Sequence, residues 1–378
     1  MKLLMVSGDR SILQGKRSAF WHTLEELSRH WERIDVITPR TKELRIMNNE
    51  LRNSFPNVFF HPSRRGLWYQ PWWILIKGDE LIKEHHHDVM TVHEYPPFYN
   101  GIGAKWLHRA GKIPYCLEIH HIVGHPVAAS WKEKIGRILS KLYLKRDAYQ
   151  AAAVRTVNES VKRTLTEWGM PGEKIHVAPS FYLNAETLKP DPSIPKKFDV
   201  AFCARIVPNK GWDTVIRAIA SLPDVSIIVV GDGPERTPME QLAFELGMIN
   251  RSTFKGWLNS NADVYRAMQS AKMFVMHSTS EGGPRIALEA MAIGMPVIAT
   301  RVGVMPDVIQ EGVNGVFTDG TANGLAAKIT MLLKDARMRE NLGKEASKIV
   351  GKFERGKLVK EYAEFLKSSA QTAASELT

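Results

Sequence analysis

Two doubly wound α/β domains in tandem are the fold class this sequence predicts, on three observations. Short apolar strands alternate with amphipathic helical stretches through the first half, the alternation stops at a cluster of prolines, and it then restarts in the same form. At 378 residues the chain is too long for one ordinary core and long enough for two.

The elements follow in order. Lys2 to Ser7 is a short apolar run, Ser18 to His30 has helical spacing, and Arg33 to Thr38 is a second apolar run, which together make a βαβ opening. Strands are expected again at Asn57 to His61, Asp88 to His93, Ile113 to Ile119, Ala152 to Val157 and Ile175 to Ala178, with helical stretches between several of them. Strands separated by helices pair in parallel, so a doubly wound sheet is expected. Leu188-Lys-Pro-Asp-Pro-Ser-Ile-Pro195 has little apolar content and reads as a linker, dividing residues 1–187 from residues 188–352. The second set of strands is expected at Phe198 to Ala204, Val225 to Val230, Ser252 to Lys255, Lys272 to His277, Pro296 to Thr300 and Asn314 to Thr318. Thr237-Pro-Met-Glu240 reads as a capping box at a helix start, and Gly247 as a helix end. Residues 353–370 read as a closing amphipathic helix that packs back on the first domain, and Gln371 to Thr378 as a frayed end.

Composition excludes several classes. Charged residues are 24% and no segment approaches the roughly 18 consecutive apolar residues of a bilayer span. Lys2 to Val6 is followed by Ser-Gly-Asp-Arg and lacks the features of a secretory signal. Cys116 and Cys203 both sit inside apolar runs, where a thiol packs as a small hydrophobe, so a disulfide framework is excluded. A cytoplasmic protein is expected, with peripheral contact at the inner face of the membrane as an option. The net charge of +11 is uneven: residues 1–190 hold 28 Lys and Arg against 19 Asp and Glu, residues 191–378 hold 23 against 21. The first half is therefore expected to meet something anionic. Zinc-finger spacing, RNA-binding aromatic signatures and long basic blocks are all missing, so nucleic acid is not an expected partner.

The strongest chemical signal is Ser280-Glu281-Gly282-Gly283-Pro284-Arg285-Ile286-Ala287-Leu288-Glu289-Ala290-Met291, directly after an expected strand. It reads as strand, glycine loop and helix. The glycines let a ligand approach the backbone, Pro284 opens the helix, and the amides of Arg285 and Ile286 point along its positive end, a place for phosphate. Glu281 ahead of the helix and Glu289 within it can accept bonds from hydroxyls on either side of such a ligand.

These residues, with the following M-A-I-G-M-P-V-I-A-T, resemble the signature of the retaining family-4 glycosyltransferases of GT-B fold, also described as glycosyl transferases group 1. The resemblance implies two facing Rossmann-like doubly wound domains with a central cleft, the acceptor on the first and the nucleotide sugar on the second. It gives Glu281 the donor sugar and Glu289 the ribose. Phe202-Cys-Ala-Arg-Ile-Val-Pro-Asn-Lys-Gly-Trp-Asp213 is similar to the family's G-R-L-x-x-x-K-G segment, so Arg205 and Lys210 fall on its two diphosphate-binding cations. Ala204 stands where the family prefers glycine. Such cations suit a leaving group that gains negative charge, and the resemblance implies that no metal and no other cofactor is required. Val229-Val-Gly-Asp-Gly-Pro-Glu235 matches a turn beside the base and makes Gly231 a weaker site candidate, with backbone geometry as its other reading.

In the first domain, Val92-His-Glu-Tyr-Pro96 and Glu118-Ile-His-His-Ile-Val-Gly-His125 are strand ends rich in histidine. The resemblance favours His120 as the residue beside the transferred sugar, with His121 as fallback, and the spacing matches no metal motif. Gly15, in the first strand-to-helix loop, stands where the family has a pair of glycines near the donor phosphate. His85-His-His-Asp88 reads as a helix end with imidazoles near the last carbonyls. Arg64 to Lys77 and Trp131 to Tyr149 combine aromatics with cations, a composition suited to an anionic membrane surface or a lipid-linked acceptor, or to packing within the domain.

The expected function is hexosyl transfer from a nucleoside-diphosphate sugar to a glycan or lipid-linked acceptor, with retention, in cell-envelope polysaccharide, lipopolysaccharide or glycolipid synthesis. A sugar-nucleotide epimerase or phosphorylase of the same fold, or a non-catalytic nucleotide-sugar-binding subunit, are the alternatives.

Overall fold

A computed structural model describes residues 1–41, 54–123, 125, 128 and 131–375. The chain forms two compact units: Met1–Ile122 with Gly136–Phe181 and Arg355–Thr378, and Tyr182–Glu354 with Val123–Ile135.

The sheet of the first unit consists of β1 (Lys2–Val6), β2 (Arg33–Thr38), β3 (Val58–Pro62), β4 (Val89–His93), β5 (Tyr115–Ile119), β6 (Ala153–Thr156) and β7 (Ile175–Val177). Their order is β3-β2-β1-β4-β5-β6-β7 and every pair is parallel. The second unit holds β8 (Phe198–Cys203), β9 (Ile227–Val230), β10 (Ser252–Phe254), β11 (Ala271–Met276), β12 (Val297–Ala299) and β13 (Val316–Phe317), again all parallel, in the order β10-β9-β8-β11-β12-β13. Each expected strand is present, in place, shifted by one residue, or shorter by one to three residues where an apolar run continues past its last ladder bond. Strands buried on both faces read as unbroken apolar runs. Leu4, Val6, Met90, Val92 and Leu117 accordingly meet Ile74, Leu81, Ala104 and Leu107 from the covering helices in one cluster.

Both sheets reverse direction once, between β1 and β4 and between β8 and β11. In open α/β sheets a ligand binds beyond the carboxyl ends of the strands at that reversal. The loops after β8 and β11, and those after β1 and β4, are therefore the places where topology puts a site.

The units divide at Phe181 and Tyr182, and the proline-rich segment lies within the second unit. Gln269 holds it there, accepting from the Asp191 amide at 2.7 Å and, through its carbonyl, from Lys196 Nζ at 2.7 Å. The helix expected at Thr237 starts at Arg236 with no side-chain cap, because Glu240 instead accepts from Arg236 Nε at 2.8 Å. The closing helix runs from Arg355 to Ser375 and so includes residues expected to fray; residues 376–378 lie outside the described residues. Its Arg355 pairs with Glu25 at 3.0 Å and its Phe365 ring meets His176 at 4.9 Å, which ties it to the first unit. Finally, His87 turns inward rather than toward the helix carbonyls and meets the buried Asp35 at 2.8 Å. Burial by itself would raise the Asp35 pKa. Bonds to His61, His87 and Arg33 outweigh it and hold the carboxyl far below its ordinary range.

Both cysteines are unpaired. Burial pushes each thiol up to about 12, as befits side chains that pack as small hydrophobes.

Candidate functional site

In the second unit the loop after β8 and the loop after β11 are stitched together. Thr279 N donates to the Asn209 carbonyl at 2.9 Å, and Asn209 Nδ2 donates to the Ser280 carbonyl at 3.1 Å. This brings Lys210 Nζ onto Glu281 Oε1, across 71 residues of sequence. Ser278 Oγ donates to the same carboxylate oxygen at 2.9 Å. Cation and carboxylate, read from separate motifs, thus form one ion pair at the topological switch point. Arg205 lies in the same β8 loop, exposed, and has no ion-pair partner among the described residues. An exposed guanidinium in the same loop as an ammonium that is already paired is available to a phosphate oxygen.

The helix Arg285–Ala292 follows Gly283 and Pro284, with Pro284 as its N-cap. Ala287 N and Leu288 N both reach the Pro284 carbonyl. The amides of Arg285 and Ile286 come earlier still, where a helix has no carbonyl of its own to offer, and they form the anion-favouring end. Glu289 is buried. Its Oε1 accepts from Tyr265 Oη at 3.0 Å and from Arg285 Nε at 2.9 Å. Burial raises the Glu289 pKa against the pull of Arg285 and Tyr265. The Arg285 side chain thus orients Glu289, a role beyond its amide, and Tyr265 is a site residue that sequence reasoning missed.

Gly231 serves the backbone. Its amide donates to the Gly256 carbonyl at 2.8 Å, so it is already used, and its φ is +127°. A Cβ built there would lie 1.9 Å from the Ala204 carbonyl oxygen. The glycine thus permits the β8 and β9 loops to meet, the backbone-geometry reading of this position. Gly231→Ala is expected to cost about 3 kcal/mol or more, read by denaturant unfolding of the intact chain, since neither the carbonyl nor the backbone angle can yield cheaply.

In the first unit the histidines do converge. The His93 and His120 rings lie 5.1 Å apart, and Glu118 sits beneath them. Glu118 Oε2 meets His120 Nε2 at 2.9 Å, Arg155 Nη1 at 2.8 Å and His93 Nε2 at 3.4 Å. Its Oε1 accepts from the hydroxyls of Thr91 and Tyr362. Although burial opposes it, the charges of His93 and Arg155 and the bonds from both histidines hold this carboxyl well below the usual range. Burial lowers the His120 pKa, against the raising influence of Glu118. His93, Glu118 and His120 offer ligand atoms within 4.8 Å of one another, the geometry of a candidate metal centre. The oxygen a dication would need, however, is held by the Arg155 guanidinium, so the donor set suits an ion-paired carboxylate that orients two imidazoles. His120, rather than the exposed His121, joins this cluster. Glu118 and Arg155 were findable: each is a charged residue inside an otherwise apolar strand, a place where charges occur only in pairs. Gly15 takes a φ of +76° and closes the short turn Ile12–Gln14 in the loop after β1.

Two doubly wound domains, the second with cations, a paired glutamate and a free helix amino end at its switch point, define a two-domain α/β architecture of the GT-B type. Residues 184–349 match the family model described as glycosyl transferases group 1, and residues 19–182 that described as glycosyltransferase family 4. The chain belongs to the GT-B glycosyltransferases of family 4. It is 34% identical over 166 residues to the lipopolysaccharide core biosynthesis glycosyltransferase LpsE of Rhizobium meliloti, a match that spans 43% of this chain and about half (48%) of that relative's length. It is 26% identical over 346 residues to the N-acetyl-alpha-D-glucosaminyl L-malate synthase of Bacillus anthracis, covering 82% of this chain and 84% of that one. Among solved structures, Anabaena HepE in complex with UDP superposes with a TM-score of 0.75 at 20% identity, over 97% of this chain and all of that one. Sucrose-phosphate synthase from Thermosynechococcus elongatus does so with 0.80 at 19%, over 97% and 98%. These two likenesses establish the fold.

Proposed function

We propose that the protein transfers a hexosyl group from a nucleoside-diphosphate sugar to an acceptor hydroxyl with retention at the anomeric carbon, in the assembly of a cell-envelope glycan or glycolipid. The observation that carries the reading is the Lys210–Glu281 pair at the β8/β11 reversal, beside Arg205 and the amino end of the helix that presents Glu289. HepE with UDP bound and an LpsE that acts in lipopolysaccharide core biosynthesis support the donor class and the setting.

In this reading the diphosphate lies against Arg205, Lys210 and the amides of Arg285 and Ile286, while Glu289 accepts from the ribose and Glu281 from the sugar. The bond from the anomeric carbon to the phosphate oxygen breaks, and that carbon bonds to the acceptor oxygen on the same face. The acceptor proton passes to the departing phosphate, so no covalent nucleophile is needed. Charge grows on the diphosphate as the bond breaks, and preplaced cations stabilise it most at that moment. His120, held by Glu118, hydrogen-bonds the transferred sugar through its other ring nitrogen.

The test is thermal stabilisation and nucleoside-diphosphate release with UDP-, GDP- and ADP-sugars, without added metal, in the wild type and in Glu289→Ala. One donor is expected to stabilise the wild type, by about 2.7 kcal/mol at a hundred times Kd, and to be slowly hydrolysed, and the variant should lose both effects. If no donor binds, the assignment of this site fails. An inverted product anomer, seen by NMR once the acceptor is in hand, would remove retention from the reading.

A further inference from the structure

The first unit carries a second feature, away from the switch-point loops. Helices Tyr99–Gly111 and Trp131–Gln150 flank a cavity of about 280 Å³ lined by Ile102, Lys105, Trp106, Arg109, Tyr143 and Arg146. The first helix runs back to the amino end of β5 and the second to the amino end of β6. Arg109 and Arg146 lie near their carboxyl termini. Lys105 Nζ lies 4.0 Å above the Tyr143 ring and 3.6 Å from Asp147, while Arg109 and Arg146 are exposed and have no carboxylate partner among the described residues.

The surface beside this cavity is apolar where a soluble surface would be polar. Leu139 and Leu142 stand one helical turn before Tyr143 and Arg146 and are 54% and 69% exposed; Ile138 is 60% exposed. On the other side Trp72, 50% exposed, packs on Trp106 with ring centroids 4.9 Å apart. Packing within the domain, one of the two readings of these segments, does not account for side chains left this open. No helix among the described residues is long and apolar enough to cross a membrane.

We infer that this face docks on an anionic bilayer, with a lipid phosphate headgroup in the cavity against Lys105, Arg109 and Arg146 and with Trp72, Leu139 and Leu142 in the interfacial layer. Charge complementarity selects the occupant: a pocket walled by cations and rings fits a phosphate on an apolar stem, and the apolar rim fits the layer to which that stem belongs. An aromatic such as Trp72 is at home at that depth, apolar in body with one polar edge. The inference does not depend on which sugar is transferred, or on transfer at all.

Flotation of the full chain with vesicles of phosphatidylcholine, and of phosphatidylcholine with phosphatidylglycerol, tests it. Binding to the anionic vesicles alone is expected. Arg109→Glu with Arg146→Glu should weaken it at least about thirtyfold, from roughly fivefold per cation near the surface. Leu139→Ser with Leu142→Ser should weaken it too, while Glu281→Ala, altered only in the donor site, should float like the wild type. Unchanged melting curves show that these surface variants fold. Equal flotation on both vesicles, no flotation, or full binding by the charge-reversed protein would overturn the inference. So would a dimer in sedimentation that the serine pair dissolves, since a second copy would then cover the face. Inorganic phosphate that displaces the protein where chloride of equal ionic strength does not would assign the cavity to free phosphate instead.

Discussion

Lys210→Ala is expected to lower turnover at saturating donor by two or more orders of magnitude, about 3 kcal/mol of lost transition-state stabilisation. Arg205→Ala should fall in the same range. The two differ in what they leave behind. Lys210 is held by Glu281 and, through the adjoining loop, by Asn209, so its loss also strips the cation from a carboxylate assigned to the sugar. Lys210→Ala should therefore affect KM for the donor as well as kcat, whereas the exposed Arg205 should act mainly on kcat. Steady-state kinetics on the identified donor checks both, and wild-type rates in both variants would defeat the proposed chemistry. Lys210→Arg should recover only part of the rate, because a planar fork does not sit on Glu281 and a phosphate as a point charge does.

Arg155→Met is expected to destabilise the first unit by about 3 to 5 kcal/mol, the usual result of removing one partner from a buried ion pair. Arg155 is almost wholly buried, donates to Glu118 at 2.8 Å and to the Ala178 and Pro179 carbonyls at 3.0 and 2.9 Å, and lies 3.7 Å from the centre of the Tyr362 ring. The sign with pH follows from Glu118, whose pKa in the folded protein is depressed. In the wild type its contribution is present above the unfolded carboxyl value and fades as pH falls through the lower folded value. Without Arg155 the burial of the carboxylate is opposed less and its folded pKa rises. The deficit should accordingly be largest at neutral pH and shrink on acidification, which denaturant titrations at several pH values would show. A deficit that grows as pH falls would mean that Glu118 is not the group left uncompensated. Glu118→Gln makes a second check, because it keeps the shape while it removes the charge that sets the His120 ring.

The strands were legible because both sheets are parallel and covered on two faces, which demands short unbroken apolar runs such as Leu3 to Val6 or Ile227 to Val230. The donor-side loops were legible because glycine, proline and charge at fixed offsets answer to one local geometry, strand to loop to helix. Other features were not, and each for a stated reason. Tyr362 lies 244 residues from Glu118, and nothing local to it says that its hydroxyl ends on that carboxylate. Tyr265 reaches Glu289 from a different helix. Helical spacing in Trp131 to Tyr149 announces an apolar face but not what that face meets, and the structure leaves Leu139 and Leu142 open.

Sequence alone therefore determined what depends on neighbours along the chain: two doubly wound sheets, the loops that follow β8 and β11, and the residue types Arg205, Lys210, Glu281 and Glu289 within them. Tertiary structure decided what depends on neighbours in space. It paired Lys210 with Glu281, buried Glu289 under Tyr265 and Arg285, gathered His93 and His120 onto Glu118, and brought the Gly231 backbone close to the Ala204 carbonyl. The reason is physical: periodicity and turn chemistry are set within a few residues, whereas strand order puts β11 beside β8, and that order alone brings distant side chains to one carboxylate.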